Sequence, residues 1–501
     1  MKKAAILLGL IILLIVLGTS CNLTHTHTFG DYLTDPDGHF KTCERCGEST
    51  AVQAHTPDED GVCTVCRTIV STKGVIYSES VYGPYAEVIG YEGDATEVVI
   101  SDKYHGLPVE VIRQAIFAEK PITKVVMPDS VLTVEPELFR DCKALTEVVF
   151  GNRLEVLSGS IFFGCTALET ITLPDSVFSI GASVFEGCTA LKTVNFGKGF
   201  KEVGTSAFVG CTALESIVFP NGTERIGPAA FEGCTALRDV TLPNGIKQID
   251  TDAFKDCTAL AAIDLPDTLT KLEAAFVGCT ALTVIEIPNG VEEIAEQTFG
   301  GCSSLVSVKL PDGLTRINES AFSHCTSLKT INFPESLVNI RHKAFLGCTA
   351  LESVVLQKGM QSINDEAFSG CTALAEMVLP NTLTHIGKNA FYNCDSFVAV
   401  ELPGSCVELA EGLFSGCDAL TVVSIGEGTA QIGSEAFAYC PELSTVYIPS
   451  SLQSISPRAF YESGPITDVY YANTDSVFRA HGFHEIFPET IKLHLNYIFG
   501  H

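Results

Sequence analysis

Apolar residues return along most of this chain on one fixed cycle. The segment FVGCTALESIVFP at 208–220 is followed 23 residues later by FEGCTALRDVTLP at 231–243. Within each, L-x-x-V-x-L sets apolar side chains on one face of an extended strand, as Leu237, Val240 and Leu242 do, and the residues between them face out. The proline that follows, Pro243 here, has no N–H to donate and ends the strand. A second short extended piece over residues 246–249 carries the chain across another face. A-F-x-x-C then makes a tight helical turn, with Phe254 as the large plug of the core.

Cysteine marks the cycle most plainly. Fourteen recur, at Cys142, Cys165, Cys188, Cys211, Cys234, Cys257, Cys279, Cys302, Cys325, Cys348, Cys371, Cys394, Cys417 and Cys440. Every step is 23 residues except Cys257 to Cys279, which is 22, so one residue is missing from the coil containing DTLTKLEAAF. A period of roughly 20–29 residues with leucines at fixed offsets predicts a leucine-rich repeat solenoid. The fold class is therefore an α/β repeat solenoid, right-handed, with a parallel β-sheet, a narrower second sheet along the 246–249 positions and one long core.

The frame persists in AIFAEKPITKVVMP at 115–128 and AFYESGPITDVYY at 459–471, where Glu119 and Ser463 take the cysteine slot. Seventeen strand starts give sixteen steps of about 4.8 Å, an array about 77 Å long. The domain boundaries that follow are a signal peptide at 1–20, a linker and cysteine-histidine module at 21–70, an N-terminal cap with the first coil at 71–121, the solenoid at 122–471 and a C-terminal cap at 472–501.

Each repeat cysteine stands three residues after a core phenylalanine and points inward. Disulfides between coils are the other reading, and strand spacing alone permits them. Stacked equivalents, however, hold their side chains parallel, whereas a disulfide needs them to converge with a near-perpendicular torsion. A reduced ladder is expected, of small side chains that donate weakly and suit a crowded stack. So many thiols in an exported chain fit a low-oxygen habitat.

Composition then narrows the function. The chain has 501 residues, 46% hydrophobic and 18% charged, enough apolar content for a long core. A formal charge of −29 with no basic stripe argues against nucleic acid as a partner. Lys2 and Lys3, an apolar run over residues 4–17 and small residues before Cys21 read as an export signal, the run being short for a membrane span. LGTSC resembles a bacterial lipobox with its leucine one place further out than usual, making Cys21 the candidate lipidation site. An ordinary cleaved signal and an uncleaved anchor are the alternatives.

Two CxxC knuckles, Cys43/Cys46 and Cys63/Cys66, lie sixteen residues apart, the spacing of a four-thiolate zinc site. Few apolar residues surround them, so a zinc-ribbon-like module folded by structural Zn is the first reading. Two disulfides or reduced thiols are the others. Such a closed site has no open position for catalysis. His27, His39 and His55 read as solvated.

With these residues in hand, AFEGCTALRDVTLPNGIKQIDTDAF resembles the BspA-type leucine-rich repeat, over about residues 74–471. That resemblance implies a bacterial surface protein that binds host matrix components or other microbes. The residues themselves show no GxSxG, HExxH or GxxxxGK[ST], and His324, His342 and His385 scatter over variable positions, so no enzyme is expected. The reading is a non-catalytic, monomeric surface protein, touching the membrane only through its lipid. A passive envelope spacer or a carbohydrate binder are the alternatives. Along the outward column of the sheet, threonine and valine suit a strand. Charge enters beside the shortened coil, and Asp239, Asp264, Glu286 and Lys309 are the candidate ligand patch.

Overall fold

The computed structural model describes residues 29–35, 38–43, 49–56, 63, 65, 69–487 and 490–497. Its repeating coil has three sides. On the first, Thr170–Thr172 is a strand whose Ile171 is buried while both threonines are exposed. It pairs in parallel with the next coil, Thr170 against Thr193 and Thr172 against Asn195. Pro174 closes the strand, and its carbonyl accepts from the Val177 N–H to turn the chain. The second side is the two-residue strand Ser179–Ile180, which pairs with Glu202–Val203 of the next coil. Both ladders join residues 23 apart, so equivalent side chains stack.

The third side is built from turns, and its hydrogen bonds explain why. The N–H groups of Ser160, Phe162 and Gly164 donate to the carbonyls of Ala182, Val184 and Glu186 in the next coil, while those of Phe163 and Cys165 close short turns onto Ser160 and Phe162. Alternation of this kind needs left-handed backbone at both ends, φ +57° at Ser160 and +70° at Gly164. A continuous helix cannot form across such residues. The slot before cysteine therefore favours glycine, then Asp, Asn and His, which tolerate this region best. Asp141, Asp256, His324, Asn393 and, against that preference, the bulky Tyr439 are its substitutes, with φ between 53° and 59°. Among the described residues, α-helix is confined to Asp475–Ala480.

Inside the three sides, sixteen phenylalanines from Phe117 to Phe460 stack ring on ring, with neighbouring centroids 4.9–6.0 Å apart and planes within 20°. Each repeat cysteine donates its Sγ–H to the phenylalanine carbonyl of the preceding coil, as Cys165 does to Phe139 at 3.1 Å and Cys234 to Phe208 at 3.2 Å. The thiol thus satisfies a buried carbonyl that would otherwise be costly to desolvate. Ser463, in the last such slot, makes the same bond to the Phe437 carbonyl through its hydroxyl. Glu119 departs from its expected slot. Phe117 and Phe139 are stacked but only 22 residues apart, so Glu119 takes the left-handed position, φ +62°, and Lys120 stands where cysteine would.

The ends close the stack. A hairpin of Val75–Glu79 and Ala86–Tyr91 pairs onto Leu107–Ile112 over the first coil. At the other end Phe478, Phe483 and Phe487 are buried, and Lys492–Leu495 adds a final strand beside Asp468–Tyr471. An antiparallel pair, Phe29–Asp35 and Gly38–Cys43, lies ahead of the array in sequence. No helix among the described residues is long and apolar enough to cross a membrane.

Burial pushes the ladder thiols up, Cys234 and Cys302 each to about 12. An unfolded thiol ionises near pH ~8.5, so stability from keeping these groups protonated is complete below that pH and is lost as pH rises toward the folded value. Alkylation at a pH of about 8 should therefore leave the ladder cysteines unmodified until denaturant opens the array, and the melting temperature should fall once pH exceeds about 9. Modification of Cys234 in the folded protein, or a melting temperature that does not fall over that range, would contradict this.

Candidate functional site at the interrupted coil

The missing residue can be placed within its coil. Gln248–Ile249 and Lys271–Leu272 are still 23 residues apart and paired. Phe254 and Phe276 are 22 apart and still stacked, at 5.6 Å. The loss therefore falls between Leu272 and Phe276, at the entry to the third side. The coils on either side have a left-handed residue there, Asp252 at φ +59° and Gln297 at +57°. Among the described residues this turn has none.

What survives the loss is the third side. The Phe276 N–H donates to the Thr298 carbonyl, Cys279 Sγ donates to the Phe254 carbonyl at 3.1 Å, and Phe276 stacks on Phe299 at 5.7 Å. Both sheets, in contrast, are broken, as they also are at the full-length coil that follows Glu376–Val378 and His385–Ile386. Residues 262–264 form no strand between Asp239–Thr241 and Val284–Glu286, and no pairing joins Lys271–Leu272 to Glu293–Ile294 among the described residues. The coils remain closed along the phenylalanine column and part along the other two sides. Val240 and Leu242, inward residues of the preceding coil, are only half-buried as a result.

On the side of the three-residue strands, the parting leaves a cleft of about 580 Å³ lined by Asp264, Asp267, Glu286, Lys309 and Asp312 among others. Glu286 and Lys309 are register partners and form an ion pair. That carboxylate holds the Lys309 amine above its usual range. Both side chains are largely exposed, so the pair adds little to stability and stays available to a ligand. Lys309 is the one cation of this lining, set among four carboxylates. Asp239 lies elsewhere, opposite Ser216 on the preceding strand pair and outside the cleft.

Three of the four candidate residues therefore come together, joined by two that the strand pattern did not single out. Asp267 and Asp312 each follow a turn proline in a recurring L-P-D, and the turn folds back beside the strand column. Of the thiolate candidates, Cys43 ends the strand Gly38–Cys43 and Cys63 is buried, while Cys46, Cys66 and the lipidation candidate Cys21 lie outside the described residues. The cleft itself offers fixed charge on an open, solvated surface. Its lining contains no cysteine, serine or histidine that could act as a nucleophile with a base.

A stack of coils with one aromatic column, parallel ladders and exposed strand faces is a leucine-rich repeat scaffold. The BspA type Leucine rich repeat region matches this chain over residues 110–238, 201–275, 224–352, 273–394 and 338–467, and the chain belongs to that family. A leucine-rich repeat protein from Bacteroides ovatus is 23% identical, with 85% of this chain and 98% of that one covered at a TM-score of 0.56, a likeness of fold. A leucine rich cell surface protein from Faecalibacterium prausnitzii is 23% identical over 82% of this chain and 96% of its own, TM-score 0.35. The pneumococcal vaccine antigen PcpA is 17% identical over 86% and 98%, TM-score 0.39. No curated protein matches the chain in sequence.

Because the Glu286–Lys309 pair lies on the surface, Lys309→Thr should fold as the parent does, with the same melting temperature at low and high salt. A clear loss of melting temperature would show that the cleft is held together by this pair.

Proposed function

We propose that the protein is a non-catalytic, adhesin-like binding protein of the cell surface that recognises host extracellular-matrix proteins or proteins on other microbes. The cleft at the interrupted coil carries this reading. Here the strand face presents Asp264, Glu286 and Lys309 in one opening. Family membership supports a protein-interaction scaffold. Fixed charges at such a surface mainly set specificity and association rate. Asp239, a strand away, extends the same acidic face toward the N-terminus.

The remaining parts of the reading concern attachment. Cys21 is the lipid-bearing residue of an exported chain, and Cys43, Cys46, Cys63 and Cys66 hold one structural zinc in a spacer between membrane and solenoid. Four thiolates would fill a tetrahedral zinc and leave no position for substrate.

Binding to immobilised matrix protein and to partner bacteria is the direct test. Replacing Asp239, Asp264, Glu286 and Lys309 together with Thr should leave the fold intact and lower binding, and the parent's binding should weaken as salt rises. Equal binding by the folded quadruple variant would remove this patch, and no binding by the parent would favour a passive envelope spacer. For attachment, the mature protein should partition into detergent and contain about one zinc per chain. Unchanged partitioning of Cys21→Ala, or metal-free protein with the mass of two disulfides, would overturn those two assignments.

A further inference from the structure

The interrupted coil opens on a second side. Along the two-residue strands the parting leaves a cleft of about 1010 Å³, lined by Lys271, Glu273, Glu292, Glu293, Glu296 and Arg316 among others. In the neighbouring coils the ladder continues past the strands. The Thr315 N–H donates to the Glu292 carbonyl at 2.9 Å and the Asn318 N–H to the Ile294 carbonyl at 3.0 Å. One coil earlier, Thr270 donates to Lys247 at 3.0 Å and Glu273 to Ile249 at 3.1 Å. Across the interruption the corresponding bonds, Glu292 N–H to the Thr270 carbonyl and Ala295 N–H to the Leu272 carbonyl, are not formed among the described residues. One lip of the cleft thus offers two carbonyls and the other two N–H groups, all belonging to strands that have lost their neighbour.

Charge gives this opening a sign. Lys271 is engaged by Glu273 at 2.7 Å and Arg316 by Glu293 at 3.5 Å, so both cations of the lining named above already face a carboxylate. Glu292 and Glu296 are exposed and have no ion-pair partner among the described residues. Unpaired strand edges recruit extended peptides through main-chain bonds, while side-chain chemistry selects among them. We infer that this second cleft is a docking slot for an extended, basic segment of a partner protein. Its backbone N–H groups donate to the Thr270 and Leu272 carbonyls, its carbonyls accept from Glu292 and Ala295, and its Lys or Arg side chains lie against Glu292 and Glu296. The slot rests on the protein-binding reading but not on the charged patch of the other side.

The test uses the full chain and a fluorescent seven-residue peptide alternating lysine and valine, with two control peptides. One control replaces lysine by glutamate, and the other is methylated at alternate backbone nitrogens. The parent peptide should bind, and both controls should bind at least tenfold more weakly. Glu292→Lys with Glu296→Lys should produce a similar loss. Inserting one residue after Glu273 restores the regular coil and should abolish binding. Thr at Asp264, Glu286 and Lys309 should leave peptide binding unchanged. No binding of the parent peptide, equal binding of the methylated one, or binding that survives the insertion overturns the slot. If the insertion variant fails to fold, the methylated peptide and the double charge reversal decide the matter. Loss of peptide binding alone, with matrix binding intact, sinks the slot without touching the proposed function.

Discussion

The column of phenylalanine rings, with a cysteine donor bound to each preceding carbonyl, sets the rise from one coil to the next. Ring centroids 4.9–6.0 Å apart lie close to the spacing of about 4.8 Å that paired strands require, so one rise serves the core and both sheets. Many weak ring contacts and a satisfied buried carbonyl in each coil add up to a strong preference for register. A change of coil length must then be absorbed on a side that does not hold the column. The coil around residues 262–276 behaves this way, since its ring and thiol contacts persist while residues 262–264 form no strand and Lys271–Leu272 pairs only with the preceding coil.

Much of this was legible from spacing alone. Leu237, Ile246 and Ile249 are buried where the alternation of apolar residues places them, because period-two patterning and a closing proline act locally. The reduced ladder was legible too, since parallel side chains bond to carbonyls more readily than to each other. The third side was harder. Ser160 and Gly164 are left-handed because their neighbours' N–H groups bond to another coil, and local propensity for a helical turn does not report that. Counting failed at Glu119 for a related reason: the first full coil is one residue short, and the position of Phe117 beneath Phe139 sets the frame.

The site divides along the same line. That the missing residue would disturb the face near Asp264, Glu286 and Lys309 follows from the 22-residue step. That Asp267 and Asp312 join them, that Asp239 does not, and that a second opening exists on the other sheet all depend on how adjacent coils separate. Both sheets also part between residues 376–386 and 399–409, so what sets the shortened coil apart is the fixed charge gathered beside its unpaired strand edges.

Hydrogen exchange of the unliganded protein tests the interruption most directly, because a backbone N–H without a partner exchanges far faster than one in a closed ladder. The amides of Glu292 and Ala295 should exchange much faster than those of Thr315 and Asn318, their equivalents one coil on, while the Phe276 and Cys279 amides stay protected. Equal protection of Glu292, Ala295, Thr315 and Asn318 would mean that the ladder is closed in solution, and the cleft and its slot would have no basis.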